Sequence, residues 1–487
     1  MSTEPTIFER SSPGRTGISW PQPDIPERPP ADYLGGENLR ADPPRRMPEL
    51  SQVDVIRHFT RLSTVNYGVD TGFYPLGSCT MKYSPKINEE IAALPGLSRL
   101  HPYQDERVSQ GMLRLLYDMQ VFLAEIAGMD AVTLQPAAGA QGEFTALMLF
   151  KRHYERVGEG HRRIVIVPDS SHGTNPATAA RCGYEIQKVP SGPDGLVDVS
   201  ALSGELSRDV AAVMLTNPNT LGLFETRAAE ISQMVHDVGA FLYCDGANMN
   251  AVLGIHRPGD AGFDAMHFNL HKTFSAPHGS GGPGSGPVAV KSFLEPYLPV
   301  PTVGFEGGRY FLNYDRLESI GRVHSFYGNI GVIVKAYAYI LNLGSDGLKS
   351  VSENAVLNAN YLLKRIATAY DVPYGERCMH EFVASAVQQK AHGVKALDIA
   401  KRLIDYGFHP PTIYFPLIVA EALMIEPTET ESVETLDAFA DAMLAIAEEA
   451  RSDPETVRSA PHTAPVSRLD EAAAARKLEL RWGGTGD

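Results

Sequence analysis

The chain has 487 residues, 43% hydrophobic and 21% charged, with a net charge of −15. That length exceeds what one compact core serves, so two domains plus extensions are expected, with the composition of an ordinary globular enzyme. The acidic balance argues against a nucleic-acid binder, and no apolar run reaches the roughly 18 residues of a membrane helix.

The opening MSTEPTIFERSSPG lacks the basic-then-apolar pattern of a secretory signal, so a cytoplasmic protein is expected. Cys79, Cys182, Cys244 and Cys378 are widely spaced and form no CxxC, which points to reduced thiols rather than a disulfide framework or a cysteine zinc site.

The first fifty residues hold 10 of the 35 prolines, centred on PQPDIPERPP. Proline removes backbone donors and favours extended chain, so residues 1–73 read as an arm lying across the body or a partner. From Tyr74 to Leu343 strand-like and helix-like stretches alternate. GMLRLLYDMQVFLAEIAG has helical periodicity and stops at Gly128. AVTL, RIVIV, YEIQKV, VAAVML, AFLYC, DAMHF and PVAV read as strands, with helices such as FETRAAEISQMVHDVG between them. This alternation implies crossover connections and a mostly parallel sheet covered by helices, an α/β domain over 74–343. NIGVIVKAYAYILNLG reads as a long buried helix leading into a smaller α+β domain with a tail, 344–487. There CMHEFVASAV is a strand, and GVKALDIAKRLIDYGF and SVETLDAFADAMLAIAEEA are helices.

Two polar residues at strand ends carry the chemistry. Lys272 lies in AMHFNLHKTFSAPHG and Asp245 in FLYCDGAN, a helical-length interval upstream. Strand ends are where ligand crevices open in α/β sheets. A lysine able to form a Schiff base, with an aspartate to hold a pyridinium nitrogen, is the minimal equipment for pyridoxal phosphate chemistry. A helix N-cap is the competing reading of Asp245. In TLQPAAGAQGEFTALMLF the order strand, small-residue loop, helix offers unpaired amides to a phosphate at Gly139 and Ala140; a plain tight turn is the alternative. His172 sits just past the strand RIVIV, where a flat imidazole can stack on a ring or simply start a helix. Asn248 is within reach of a ring hydroxyl, and Asn219 or Thr220 ends a strand near the same crevice. Side-chain alternation puts Asn269 and His271 on one face, towards a phosphate. The GSGGPGSG run after His278 suits close backbone approach but is no nucleotide loop, since no GK[ST] follows. His267, His271 and His278 lack the companions of a zinc site, so no metal is expected.

Read together, these motifs resemble the pyridoxal phosphate enzymes of the aspartate aminotransferase superfamily, with the fold-type I architecture. More closely they resemble the glycine decarboxylases, or P-proteins, of the glycine cleavage system. The resemblance rests on YPLGSCTMKYSPKINE (74–89), QPAAGAQGE (135–143), SHGTNPATA (171–179), CDGANMNA (244–251), NLHKTFSAPHGSGGPG (269–284), SIGRVHSFYGNIGV (319–332), MHEFV (379–383) and EPTETES (426–432). The length, the early IFERSSPGRTG and the AAGA loop resemble the second, cofactor-bearing subunit of the family's split form. Ser280 departs from the glycine more usual there.

The resemblance implies a glycine dehydrogenase (aminomethyl-transferring) with pyridoxal 5'-phosphate held covalently on Lys272. Lys272, His172 and Asp245 would be catalytic, and Gly139, Ala140, Asn248, Asn269, His271 and Thr220 would join them around the cofactor. Glycine would lose CO2, and the aminomethyl group would pass to the lipoyl arm of the H-protein. A heterotetramer with subunit 1 is implied. His271 or His278 is a candidate proton carrier, and Cys79 is either structural or a redox-sensitive thiol. The rival readings are an aminotransferase, for which Arg322 is the candidate carboxylate clamp, a desulfurase, for which Cys378 is the candidate nucleophile, and a non-catalytic supporting subunit.

Overall fold

The computed structural model describes residues 3–39, 47–278, 284–478 and 480. The expectations placed on residues 279–283, Ser280 among them, lie outside the described residues. The chain divides into two units, Met1–Gly68 with Ala460–Asp487, and Val69–Ser459.

In the first unit, most of the proline-rich stretch is irregular, but the segment read as an extended arm also contains the helix Gln52–Thr64. Its start is visible in the sequence once looked for. Ser51 accepts from the Asp54 amide while the Asp54 carboxylate accepts from the Ser51 amide, a reciprocal cap. Glu4 ties the chain start to this helix through His58 and Arg61, both at 3.2 Å.

In the second unit, all seven apolar runs form one sheet: β1 (Ala131–Thr133), β2 (Ile164–Pro168), β3 (Glu185–Val189), β4 (Val210–Thr216), β5 (Phe241–Gly246), β6 (Ala265–Phe268) and β7 (Val288–Val290). Their order is β1-β7-β6-β5-β4-β2-β3. Strands β2 to β6 pair in parallel, whereas β7 runs antiparallel to both β6 and β1. The physical reason is connectivity, because a parallel return needs a crossover element and none lies between β6 and β7 in the described chain.

The strands are apolar on both faces because both are covered. Ile166, Val213, Leu242, Cys244 and Met266 pack into one core, while Val165, Met214, Tyr243 and Ala265 pack into the other. The helix Glu106–Ala127 contributes Met112, Leu116, Met119 and Leu123 to the first. It ends at Gly128, whose φ of 67° is the left-handed cap that glycine adopts without strain. The helix Gly139–Val157 covers the second with Ala146, Leu147, Phe150 and Tyr154.

A hairpin follows, β8 (Thr302–Glu306) and β9 (Arg309–Asn313). The long helix Ile330–Ile366 is interrupted at Gly344, φ 61°. A smaller antiparallel sheet, β10 (Phe382–Ser385), β11 (Thr412–Ile413) and β12 (Ala422–Ile425), has the order β10-β12-β11. The helices Ala396–Asp405 and Val433–Ser452 close over it through Ile399, Leu403, Leu436 and Phe439. Leu76 bridges Ile425, so the Pro75–Thr80 segment runs beside β12. No helix among the described residues is long and apolar enough to cross a membrane.

Candidate active site

The parallel strands deliver their polar residues to one edge. β2 ends at Pro168, β4 at Thr216, β5 at Gly246 and β6 at Phe268. Asp245 stands opposite His267 in the β5–β6 register. Strand alternation puts Tyr243, Asp245 and His267 on the face that the helix Gly139–Val157 covers. The Tyr243 hydroxyl lies 2.5 Å from His267 Nδ1, and the Asn269 amide lies 2.7 Å from His267 Nε2. His267, weighed from the sequence only as a metal ligand, is thus engaged at both ring nitrogens.

Asp245 is 2% exposed and fully furnished with donors. Asn175 Nδ2 donates to Oδ2 at 3.0 Å and the Ala247 amide to Oδ1 at 3.0 Å; His267 Nε2 is 3.5 Å from Oδ1. Burial alone raises its pKa, but His267, Asn175, Lys272 and Ala247 together outweigh that and hold it below the ordinary carboxylate range. The site therefore keeps a buried negative charge ready for a cationic or N–H partner.

Lys272 follows β6 in a turn, with its amide bonded to the Asn269 carbonyl. Its Nζ donates to the Ser78 carbonyl at 2.9 Å. The loop carrying that carbonyl has Ser78 and Thr80 at φ 61° and 46°, a conformation unusual for residues with side chains. Two buried glutamates hold it there. The Ser78 amide donates to Glu381 Oε2 at 2.6 Å, and Thr80 donates its amide to Glu426 Oε2 at 2.9 Å and its hydroxyl to Oε1 at 2.6 Å. Glu381 immediately precedes β10 and Glu426 follows β12, so the small sheet positions the acceptor of the lysine. A buried ion pair, Lys82 Nζ to Glu429 Oε1 at 2.6 Å, fixes the far end of the same segment. Burial pushes Glu426 up to about 7 and, with Glu426 beside it, pushes Glu381 well above the ordinary range. His380, Glu381 and Glu426 also bring one ligand atom each within 4.8 Å of one another, although both carboxyls already serve the loop.

His172 lies past β2, with Nδ1 2.8 Å from Thr174 Oγ1 and 3.2 Å from the Thr174 amide. Burial lowers its pKa, opposed by Asp245. Gly139 and Ala140 begin the helix Gly139–Val157, which Ala138 enters in extended conformation with no capping side chain. A Cβ at Gly139 would meet the Asn269 side chain and lie 3.0 Å from His267 Nε2. The helix start therefore sits directly against the strand-end cluster.

The segment after Phe268 is a turn, not the extended strand whose alternation would put Asn269 and His271 on one face. The Leu270 amide bonds Ser285 O and the chain folds back. Asn269 turns to His267, while His271 Nδ1 accepts from the Ser285 amide at 3.2 Å and packs edge-on to His278. Burial, with His278 and Lys272 nearby, lowers the His271 pKa to about 3.

Asn248 gives its amide to Pro218 O at 2.9 Å, with Glu381 Oε1 at 3.4 Å, and its own Oδ1 is buried without a partner. Thr220 donates to Ser170 O at 2.5 Å. Asn219 is committed to its own loop, accepting from the Leu221 and Leu223 amides. Arg322 lies over the rings of Tyr103 and Tyr314. Cys79 is a free, half-buried thiol whose pKa burial raises; Cys378 is free and buried.

Glu381, Glu426, Glu143 and Asn175 escaped sequence reasoning. The available signal was the one used for Asp245, an acid abutting an apolar strand, present in HEFV and in LMIEP.

Residues 37–309 match the family described as glycine cleavage system P-protein, and residues 351–465 match the C-terminal domain of glycine dehydrogenase. A chain of Caldanaerobacter subterraneus named probable glycine dehydrogenase (decarboxylating) subunit 2 is 58% identical over 476 residues, 98% of each chain. A chain of the same name from Desulforamulus reducens is 57% identical over 481 residues, 99% of each. Among solved structures, a glycine decarboxylase (P-protein) in inhibitor-bound form superposes with a TM-score of 0.72 at 21% identity, covering 85% of this chain and 94% of that one. A NifS-like protein gives 0.60 at 14% identity, covering 77% and 99%. The fold is the fold-type I architecture expected from the motifs. With one family matched over more than half its length and relatives alike from end to end, the chain belongs to the glycine cleavage system P-protein family.

Proposed function

We propose that this chain is the cofactor-bearing subunit 2 of a two-subunit glycine dehydrogenase (aminomethyl-transferring, decarboxylating). The observation that carries the reading is the convergence of Lys272, on the Ser78 carbonyl, with an ionised, donor-rich Asp245 at one edge of the sheet.

The residues fit pyridoxal phosphate. The uncapped helix start at Gly139 and Ala140 leaves backbone donors for a phosphate, with Asn269 and His271 alongside. Asn248 Oδ1 is a buried acceptor without a protein partner, and the Thr216 hydroxyl is unpartnered too. Bound through Lys272, the cofactor supplies an electron sink for the bond between glycine's Cα and its carboxylate.

The chain's own residues then have separable tasks. Asp245, charged and buried, accepts the ring N–H and keeps it protonated. His172, held by Thr174, would pack on the ring and limit its tilt. Gly139 and Ala140 anchor the phosphate through amides, and Thr220 and Asn248 line the crevice. The Ser78 carbonyl orients the lysine amine. With the cofactor in place, glycine would lose CO2 and its aminomethyl carbon would bond one sulfur of a lipoyl disulfide on the H-protein, the S–S bond opening and the other sulfur taking a proton as a thiol. Glycine selectivity follows from excluding any Cβ, since steric exclusion discriminates more strongly than a missing methylene, worth about 1–3 kcal/mol.

Subunit 1 completes a heterotetramer, residues 1–73 serve as the arm towards it, 74–343 bind the cofactor and 344–487 form the small domain. The site of action is the cytoplasm.

The test is the visible spectrum of the purified chain with its partner subunit, before and after glycine. A lysine-bound cofactor band that changes with glycine, and not with alanine or aspartate, supports the reading. A band indifferent to glycine removes the reaction, and no band after adding pyridoxal phosphate removes the cofactor.

A further inference from the structure

Tyr243, His267 and Asn269 stand in line beneath the helix start at Gly139, and the first two have no part in the function described above. The Tyr243 hydroxyl is 2.5 Å from His267 Nδ1, while His267 Nε2 is 2.7 Å from Asn269 Nδ2 and 3.5 Å from Asp245 Oδ1. All three side chains are buried. The other end of the Asn269 amide, Oδ1, faces Gly139 so closely that a Cβ there would collide with it.

The hydrogens along this line can be counted from its inner end. Burial raises the Tyr243 pKa well above the phenol range, so the hydroxyl keeps its hydrogen. His267 Nδ1 is its one hydrogen-bond partner among the described residues. Burial, opposed by Asp245, lowers the His267 pKa, so the ring holds a single proton. On Nδ1 that proton would go to the phenol oxygen, and the phenol hydrogen would be left buried without an acceptor. The bare Nε2 would also face the charged Asp245. With the proton on Nε2 both costs vanish, because the phenol donates to Nδ1 and Nε2–H points at acceptors.

An Nε2–H at 2.7 Å calls for an oxygen, not a second N–H. The two ends of a side-chain amide are alike in size, so a half-turn of the Asn269 amide exchanges them without moving its neighbours. Oδ1 then receives Nε2–H. Nδ2 faces the helix start and joins the free amides of Gly139 and Ala140 as a further donor. The opposite arrangement would present an oxygen lone pair to any anion held there.

We propose that His267, its proton kept on Nε2 by Tyr243 and Asp245, is the positioning residue that turns the NH2 end of Asn269 to the cofactor phosphate. This rests on the phosphate lying at Gly139 and Ala140, as the function above has it.

Pyridoxal phosphate and pyridoxal separate this role from the others, because both can bond to Lys272 and only the first carries a phosphate. Asp245 serves the two aldehydes alike. Their dissociation constants are read from the visible band of the full chain with its partner subunit, freed of cofactor and without glycine. His267→Leu is expected to lose about tenfold of the parent's preference for pyridoxal phosphate, roughly the worth of one hydrogen bond to an anion. His267→Gln, whose amide N–H can stand where Nε2–H stands, is expected to keep that preference. Asn269→Asp still accepts from Nε2–H but turns a negative oxygen to the phosphate, and should lose more. Ring ¹⁵N spectra of the unsubstituted chain labelled at histidine and loaded with pyridoxal phosphate need no destabilising variant; the signal absent from His267→Gln should be an Nε2–H ring. An Nδ1–H ring, or a His267→Leu chain with the parent's preference, overturns the proposal. A parent that binds the two aldehydes equally overturns it too, while leaving Lys272 in place. A preference that follows His267 in a chain without glycine-dependent CO2 release supports the relay and counts against the reaction instead.

Discussion

Lys272 and Ser78 are 194 positions apart, yet the lysine Nζ donates to the serine carbonyl at 2.9 Å. That carbonyl is aimed by a loop in left-handed backbone conformation, which Glu381 and Glu426 hold by its amides. The lysine belongs to the large sheet and the glutamates to the small one, so the position of the amine reports on the docking of one sheet's loops against the other.

Replacing Lys272 with Ala is expected to abolish glycine-dependent CO2 release and to leave the melting temperature close to that of the parent. The side chain makes a single described hydrogen bond, so little packing is lost. Ordinary CO2 release by this variant would remove the lysine from the mechanism.

Asp245→Asn preserves shape but not charge. The Asn175 amide would still find an oxygen, while the ring N–H would lose a charged acceptor worth about 1.5–3 kcal/mol. The expected fall in kcat is about 10–100-fold, by the conversion of about 1.4 kcal/mol per decade. An unchanged kcat would place the ring's partner elsewhere.

Glu426 gives a signed pH dependence of stability. Its folded pKa is about 7, above the ordinary value of 4.5, so the folded chain holds a proton that the unfolded chain releases. Its contribution is full below 4.5 and is lost as pH rises through about 7. Glu143, which burial also raises to about 7, titrates in the same window, so the informative quantity is the difference in unfolding free energy between parent and Glu426→Gln. That difference should decline from pH 4.5 to 7 and then level off; a flat difference would mean that Glu426 is ionised throughout.

Gly77→Ala should be destabilising by about 1–3 kcal/mol, because overpacking a filled site forces its neighbours aside. The added methyl would collide with the Met424 side chain and stand 2.7 Å from the Met424 carbonyl oxygen, which β12 holds in place. Weaker retention of the cofactor should accompany the lower melting temperature, since the displaced segment carries Ser78. Retention equal to the parent's would uncouple this loop from Lys272.

Several elements could be read directly from the chain. RIVIV, VAAVML and AFLYC are apolar through and through, and a strand buried on both faces has no other way to look. Gly128 marks the end of its helix because a left-handed cap suits glycine. Lys272 and Asp245 stand out because a charged residue at the end of such a run has to be compensated. The turn after Phe268 did not announce itself: NLHKTF has no glycine or proline, and only pairing with Ser285 bends it. The helix Gln52–Thr64 was masked by the prolines before it, although Ser51 and Asp54 signal its start.

The sequence by itself determined the strands, the sheet class and the family, and it singled out Lys272 and Asp245 as the residues proposed to carry the chemistry, because each depends on neighbours within a few residues or on motifs in fixed order. Only the tertiary structure decided that β7 runs antiparallel, that Glu381 and Glu426 aim the carbonyl facing Lys272, and that His267 stands between Tyr243 and Asn269. Those relations join residues as far as 346 positions apart, and a buried carboxyl reveals its charge state only through the donors, acceptors and solvent exclusion that the finished fold brings to it.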